Sequence, residues 1–127
     1  MITAEQFSKL IFSEFPYSPT AGQENLIKRI ADFILSDQGQ FPLFLLEGYA
    51  GTGKTTVVST LVKVLHRAGY SAILLAPTGR AAKVLAGYAK MPAQTIHRRL
   101  YRPGMDADGH VHFQVMPNKD VRTLFIV

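Results

Sequence analysis

A glycine-rich stretch at residues 48–55, with the sequence GYAGTGKT, constrains the fold more than any other feature of the chain. A short apolar run without helical spacing precedes it at 41–47, and a helical pattern follows it from Lys54 to Ala68. An apolar run of this length bounded by glycines is typical of a strand covered on both faces. The sequence therefore predicts a buried strand, a tight turn and a helix in direct succession.

The residue types in this turn are those that bind phosphate. The pattern G-x-x-x-x-G-K-[ST] is complete from Gly48 to Thr55. Glycines let backbone amides point inward around an anion, where a side chain would collide with it. Lys54 adds a positive charge, Thr55 offers a hydroxyl to Mg²⁺, and the helix start attracts the same anion. The stretch predicts ATP or GTP binding; the alternative is a glycine-rich turn with an incidental lysine.

The same motif supplies most of the predicted site residues. Lys54 and Thr55 are the predicted catalytic residues, and Thr55 is also the predicted metal ligand. The implied cofactors are ATP and Mg²⁺. The residues of the motif predicted to bind the nucleotide are Gly48, Ala50, Gly51, Thr52, Gly53, Lys54, Thr55 and Thr56.

The remaining pattern alternates between helical and extended segments. Thr3 and Thr20 each stand three residues before a glutamine, which predicts capped helices over 3–15 and for about sixteen residues from Thr20. Further on, the pattern predicts a strand over 71–76, a helix over 79–90, a short helix over 95–101, a turn-rich loop over 102–109, and strands over 111–115 and 122–127. Alternating strands and helices predict an α/β fold with a parallel sheet flanked by helices.

Composition excludes several classes of protein. The chain has 127 residues, of which 47% are hydrophobic and 18% charged, as in a globular domain and unlike a disordered chain. No apolar run approaches the roughly 18 residues of a membrane span, and the N-terminus lacks the pattern of a signal peptide. The absence of cysteine fits a reducing compartment. We therefore expect a cytoplasmic protein with no membrane partner.

The charge is distributed unevenly along the chain. Residues 1–62 contain four basic and six acidic residues, whereas residues 63–127 contain ten basic and three acidic ones, a net charge of +7. Between Pro77 and Arg102 there are six Lys or Arg residues and no carboxylate. This pattern favours a surface that binds a polyanion, with an ordinary solvated helix face as the alternative.

Three motifs resemble, in order and spacing, those of RecD-like superfamily 1 DNA helicases, a group that includes the Dda helicases. They are GYAGTGKTT at 48–56, APTGRAA at 76–82 and TIHRRL at 95–100, and TAGQ at 20–23 resembles the adenine-recognising glutamine motif of the same family. The resemblance implies a RecA-like P-loop NTPase fold. Residues 1–127 would then be the N-terminal part of the first motor domain, with a helical lead-in at 1–38 and an incomplete P-loop core at 41–127.

The resemblance also implies roles for individual residues. Gln23 would read the adenine edge with its amide, although its spacing from Thr20 equally fits a capping box. The family's contacts with single-stranded DNA map onto Pro77, Thr78, Gly79, Arg80, Thr95, His97 and Arg98, and Arg99 and Arg102 extend this basic track. Thr78 is alternatively a plain helix N-cap, and His97 a surface or packed histidine.

In this family, ATP hydrolysis is coupled to translocation along single-stranded DNA from 5′ to 3′. The strand resembling 124–127 is followed there by an Asp-Glu pair that holds Mg²⁺, and a second motor domain supplies an arginine finger. The printed sequence stops before that pair. The expectation is therefore a domain truncated before the Walker B acidic pair, with an open slot in its sheet, that binds ATP without efficient hydrolysis. The missing C-terminal motor domain is an implied partner.

Three other functions use a similar phosphate loop. An AAA-type ATPase, such as a clamp loader, is the nearest, and the APTGRAA motif with its basic surroundings favours the helicase over it. A nucleotide-gated nucleic-acid-binding module would bind ATP without using it as fuel. A nucleotide kinase would need an acidic general base, for which Glu47 is the only candidate near the loop. The sequence leaves open whether the protein serves DNA repair, DNA recombination or a nuclease complex.

Overall fold

The computed structural model describes residues 2–36, 39, 42–48 and 53–127. The chain forms two compact units, Met1–Tyr70 and Ser71–Val127. Across the described ranges, no helix combines the length and the apolar character needed to cross a membrane.

The first unit is helical. It contains α1 (Ala4–Glu14), α2 (Ala21–Leu35), α3 (Lys54–Val64) and a 3₁₀ turn at Leu65–Ala68 that ends at Gly69, where φ is +80°. Complete capping boxes open α1 and α2, as their spacing predicts, because in each the threonine and the glutamine satisfy one another's backbone amides. The core of this unit is built from large side chains that are almost fully buried: Phe7, Ile11, Ile27, Val57, Val64 and Leu65.

The strand predicted at 41–47 is not formed. Residues 42–48 have no regular secondary structure, and Phe41 lies outside the described residues. Phe44 packs edge-to-face on Phe33 of α2, whereas Leu43 and Leu45 are 85% and 72% exposed. An apolar run becomes a strand only when neighbouring strands satisfy its amides and carbonyls, and in the described part of the chain no strand pairs with this segment.

The second unit contains the predicted parallel sheet. Its strands β1 (Ser71–Ala76), β2 (Ala93–Thr95) and β5 (Thr123–Ile126) lie in the order β2-β1-β5, and both pairings are parallel. The helix α4 (Gly79–Ala89) connects β1 to β2 and packs against both. This arrangement confirms the α/β class. Three residues of β2 were missed by the sequence analysis, because a three-residue strand is too short to show periodicity.

A short helix and a hairpin complete the second unit. The helix α5 (Ile96–Leu100) confirms the prediction over 95–101, and the hairpin joins β3 (Tyr101–Met105) to β4 (Val111–Val115). The loop predicted over 102–109 is therefore partly wrong, since 102–105 is a strand. The prediction of a loop relied on Pro103, because proline lacks the amide that a strand uses in pairing. A two-stranded sheet has only edge strands, and edge strands tolerate this missing amide.

Candidate phosphate site and nucleic-acid interface

Gly53 begins the helix of the phosphate motif. It is the N-cap of α3 and has a φ of +85°, in the left-handed region that favours glycine. A Cβ at this position would also collide with Nε2 of Gln23. As a glycine, Gly53 has no side chain to bond the first amides of α3. The start of α3 therefore has no side-chain cap, and uncapped amides at a helix start suit the binding of phosphate.

The two ends of the motif are in direct contact. The Nζ of Lys54 donates a hydrogen bond to the carbonyl oxygen of Gly48. A carbonyl is a weaker partner for an ammonium group than an anionic oxygen, so phosphate is able to displace it. Thr55 is exposed and Thr56 is half-buried. Three of the predicted nucleotide-binding residues, Ala50, Gly51 and Thr52, lie outside the described residues.

Gln23 performs the capping role that its spacing predicts. The side-chain Oε1 of Gln23 accepts a hydrogen bond of 2.9 Å from the backbone amide of Thr20. The backbone amide of Gln23 in turn donates to Oγ1 of Thr20 at 3.2 Å. The residue is only 7% exposed, and its Nε2 lies against Gly53. The glutamine motif thus lies next to the phosphate motif, and contact with adenine stays a prediction.

Tyr17 belongs to this site although the sequence analysis did not select it. Its hydroxyl donates a hydrogen bond of 3.3 Å to Oγ1 of Thr56. Hydrogen bonding with Thr56, and then with Gln23, lowers the pKa of Tyr17, because both side chains are able to donate to the phenolate. The ring packs edge-to-face on Phe15 with centroids 5.2 Å apart. The feature of the sequence that could have identified Tyr17 is its position as an aromatic residue between Pro16 and Pro19.

The first predicted nucleic-acid motif follows β1 directly. Its four residues, Pro77, Thr78, Gly79 and Arg80, are all exposed. Thr78 is the N-cap of α4, since its Oγ1 accepts a hydrogen bond of 3.1 Å from the amide of Ala81, which confirms the capping alternative. The first turn of α4 contains no acidic residue. Capping uses one amide, so the cap is compatible with a phosphate at the same helix start.

The second predicted motif lies beside the first at one edge of the sheet. β1 and β2 are parallel, and their register pairs Ala76 with Thr95, the last residue of each strand. Thr95 caps α5 by accepting a 3.1 Å hydrogen bond from the amide of Arg98. The structure therefore brings together two segments that are almost twenty residues apart in sequence, at the edge where open α/β sheets bind their ligands.

The cations of the basic track have different surroundings. Arg99 forms a 2.7 Å ion pair with Asp120, and its place in the basic track stays a prediction. Arg98 and Arg102 are exposed, and neither forms an ion pair within the described part of the chain. His97 is exposed, and its ring also contacts Tyr101 and Phe113, so both the surface and the packed alternatives apply to it.

The parallel α/β sheet and the glycine-capped phosphate motif are consistent with a P-loop NTPase. In a comparison with family models, residues 19–127 match the AAA domain. Because the match covers most of the sequence, the chain belongs to the AAA domain family of P-loop ATPases. No solved structure shows significant similarity to it. The match confirms the ATPase class, which the helicase interpretation and the AAA-type alternative have in common.

Proposed function

We propose that the chain belongs to an ATP-dependent DNA helicase, in which ATP hydrolysis drives translocation along single-stranded DNA. The AAA domain family that it matches is found in RecD-like helicases, and three motifs of the chain resemble those of that group. The direction of movement, 5′ to 3′, comes from this resemblance alone.

The observation that carries the proposal is the pairing of Ala76 with Thr95. It joins the starts of two exposed segments at one sheet edge, and Arg80 and Arg98 lie just beyond it. A chain of phosphates with regular spacing is a ligand that suits several separate cations and helix caps along one edge. A nucleotide kinase would need a second small-molecule pocket with an acidic base, and this edge is basic.

The phosphate motif would hold the ATP. Amides at the start of α3 and the ammonium group of Lys54 would bind the phosphates, and the exposed hydroxyl of Thr55 would bind Mg²⁺. The bound metal would neutralise charge on the phosphates. Tyr17 and Gln23 would support the loop from the side, because both contact residues at the start of α3.

The test is a titration of the chain with a fluorescent ATP analogue and Mg²⁺, with and without a short single-stranded oligonucleotide, at two salt concentrations. We expect saturable nucleotide binding that Lys54→Ala weakens, salt-sensitive oligonucleotide binding, and a change in nucleotide affinity when the oligonucleotide is bound. Because linkage is reciprocal, the nucleotide must change oligonucleotide affinity by the same factor. Nucleotide binding that ignores the oligonucleotide would contradict the helicase and favour a general AAA-type ATPase.

A further inference from the structure

The hydroxyl groups of α3 differ in the contacts that they make. Ser59 and Thr60 donate to the backbone carbonyl of Thr56, at 3.1 and 2.8 Å. A bond to a carbonyl of the preceding turn is the usual local contact of such residues inside a helix. Thr56 is different, because its Oγ1 accepts a hydrogen bond of 3.3 Å from the hydroxyl of Tyr17, which lies outside the helix and 39 positions earlier in the sequence.

Thr56 stands at the end of α3 that suits an anion. Lys54, Thr55 and Thr56 are the first three residues of the helix, so their backbone amides have no acceptor within it. The bond from Tyr17 uses a lone pair of the Thr56 oxygen and leaves the hydroxyl proton of Thr56 to be donated. Thr56 therefore offers two donors, its amide and its hydroxyl, at a helix start that favours phosphate.

Tyr17 is fixed both by its ring and by the surroundings of its hydroxyl. The ring packs edge-to-face on the buried Phe15, with centroids 5.2 Å apart. The hydroxyl oxygen lies 3.8 Å from the position that a Cβ on Gly53 would occupy, and Nε2 of Gln23 lies close to the same position. A side chain anchored in this way orients Thr56 before any ligand binds, which lowers the entropic cost of binding.

We propose that Tyr17 is a positioning residue of the nucleotide site, which orients the hydroxyl of Thr56 so that its proton is donated to a phosphate oxygen. The inference rests on the ATP-binding part of the proposed function and adds to it a residue that no motif supplied. The neighbouring hydroxyls of Thr55 and Thr56 then have separate roles, the first toward Mg²⁺ and the second toward phosphate. Because Tyr17 acts through Thr56, its contribution depends on the Thr56 hydroxyl.

The first test measures the binding of ATP and of inorganic tripolyphosphate, each with Mg²⁺, by displacement of a fluorescent ATP analogue. Tyr17→Phe removes the hydroxyl and keeps the ring on Phe15. We expect it to weaken both ligands by the same factor, roughly 2- to 10-fold, the range for one neutral hydrogen bond. The ring of Tyr17 is 51% exposed, and tripolyphosphate has no base. A loss for ATP alone would therefore overturn the proposal and assign Tyr17 to contact with the base.

A double-mutant cycle with Thr56→Val separates positioning from general support of the fold. Valine keeps the shape of threonine but lacks the hydroxyl, so Thr56→Val alone should weaken both ligands at least as much as Tyr17→Phe. In the Thr56→Val background, Tyr17→Phe should cause no further loss of affinity, because the group through which it acts is absent. Additive losses would overturn the proposal, since Tyr17 would then act independently of Thr56.

The matched control is Tyr88→Phe, the same substitution at a tyrosine of α4 that is 53% exposed. It should leave both affinities unchanged. The free energy of unfolding in urea is measured for every variant, so that a loss of fold is recognised. Unchanged affinity in Tyr17→Phe would overturn the positioning role while ATP binding and the proposed function stand. Failure of the unmodified chain to bind ATP would instead overturn the proposed function, and the role of Tyr17 with it.

Discussion

The two units of the molecule contain candidate anion-binding sites of different construction. In Met1–Tyr70, Gly53 begins α3 without a side-chain cap and the next residue, Lys54, contacts the carbonyl oxygen of Gly48. In Ser71–Val127, separate arginines and capping threonines are spread along a sheet edge and a hairpin. A site made from backbone depends on a single conformation, whereas a site made from side-chain charges loses affinity in increments. The difference predicts that single mutations in the first unit lower nucleotide affinity strongly, whereas single mutations in the second unit lower oligonucleotide affinity in small steps.

The largest effect is expected from Lys54→Ala. Loss of a charged hydrogen bond to phosphate costs about 1.5–3 kcal/mol, so nucleotide affinity should fall roughly 10- to 100-fold. Oligonucleotide affinity measured without nucleotide should not change. Titration with a fluorescent ATP analogue measures the first quantity and anisotropy the second. Lys28→Ala, at an exposed position on α2, is the charge-matched control. Equal nucleotide affinity in both variants would show that the motif is only a structural turn.

Gly53→Ala tests the conformation of the turn directly. At a φ of +85° an alanine costs about 1–2 kcal/mol, and its Cβ would also displace Gln23. We expect a lower free energy of unfolding in urea together with weaker nucleotide binding. Gly87→Ala is the control, because Gly87 lies inside α4 with no atom near a new Cβ and the change should stabilise the helix by roughly 0.5–1 kcal/mol. A Gly53→Ala protein as stable as the original would contradict the strain argument.

The graded response of the second unit is measured by salt dependence. Each neutralised phosphate of a single strand contributes about −0.7 to the slope of log affinity against log salt, so four to six contacts give a slope of about −3 to −4. Arg98→Gln with Arg102→Gln should make the slope shallower by roughly 1.4. Arg99→Gln removes an arginine that already has a carboxylate partner and should change the slope less. Equal changes in the two proteins would show that ion pairing does not decide which arginines bind.

The smallest expected effect is a pH-dependent change in the stability of the helical unit, Met1–Tyr70. Lys63 donates to Glu14 at 3.0 Å and, with a lesser effect from Arg67, lowers the pKa of Glu14 from its ordinary 4.5. Its stabilisation is therefore present above about pH 4.5 and is lost as pH falls through the lower pKa of the folded state. Glu14→Gln should be slightly less stable than the original at pH 7, and this difference in stability should be smaller at pH 3. Both side chains reach solvent, so the difference is small.

Urea unfolding at the two pH values measures this difference. Glu5→Gln removes the carboxylate of a more exposed pair within α1 and serves as the control, with a smaller expected change. A stability difference for Glu14→Gln that is as large at pH 3 as at pH 7 would show that packing, and not charge, accounts for it.

Local patterns predicted most of the elements and part of the site. The capping boxes at Thr3 and Thr20, and the glycines at 53 and 69, fix helix ends through contacts within a few residues, and these predictions were confirmed. The apolar run at 41–47 was misassigned because apolarity states that a segment can be buried and leaves its pairing partner unspecified. Pro103 and the three residues of β2 were misread for the same reason, since strand formation depends on a neighbour.

The sequence by itself determined the phosphate motif, the uneven charge and the helix boundaries, because each depends on residue types at short spacing. Only the tertiary structure decided that Ala76 pairs with Thr95 and that Tyr17 forms a hydrogen bond with Thr56. It also decided that Arg99 is paired with a carboxylate while Arg98, among the described residues, is not. The ring contact of Phe113 with His97 is a third result of the tertiary structure. These contacts join residues distant in sequence, and their formation depends on strand register and packing, which no local pattern encodes.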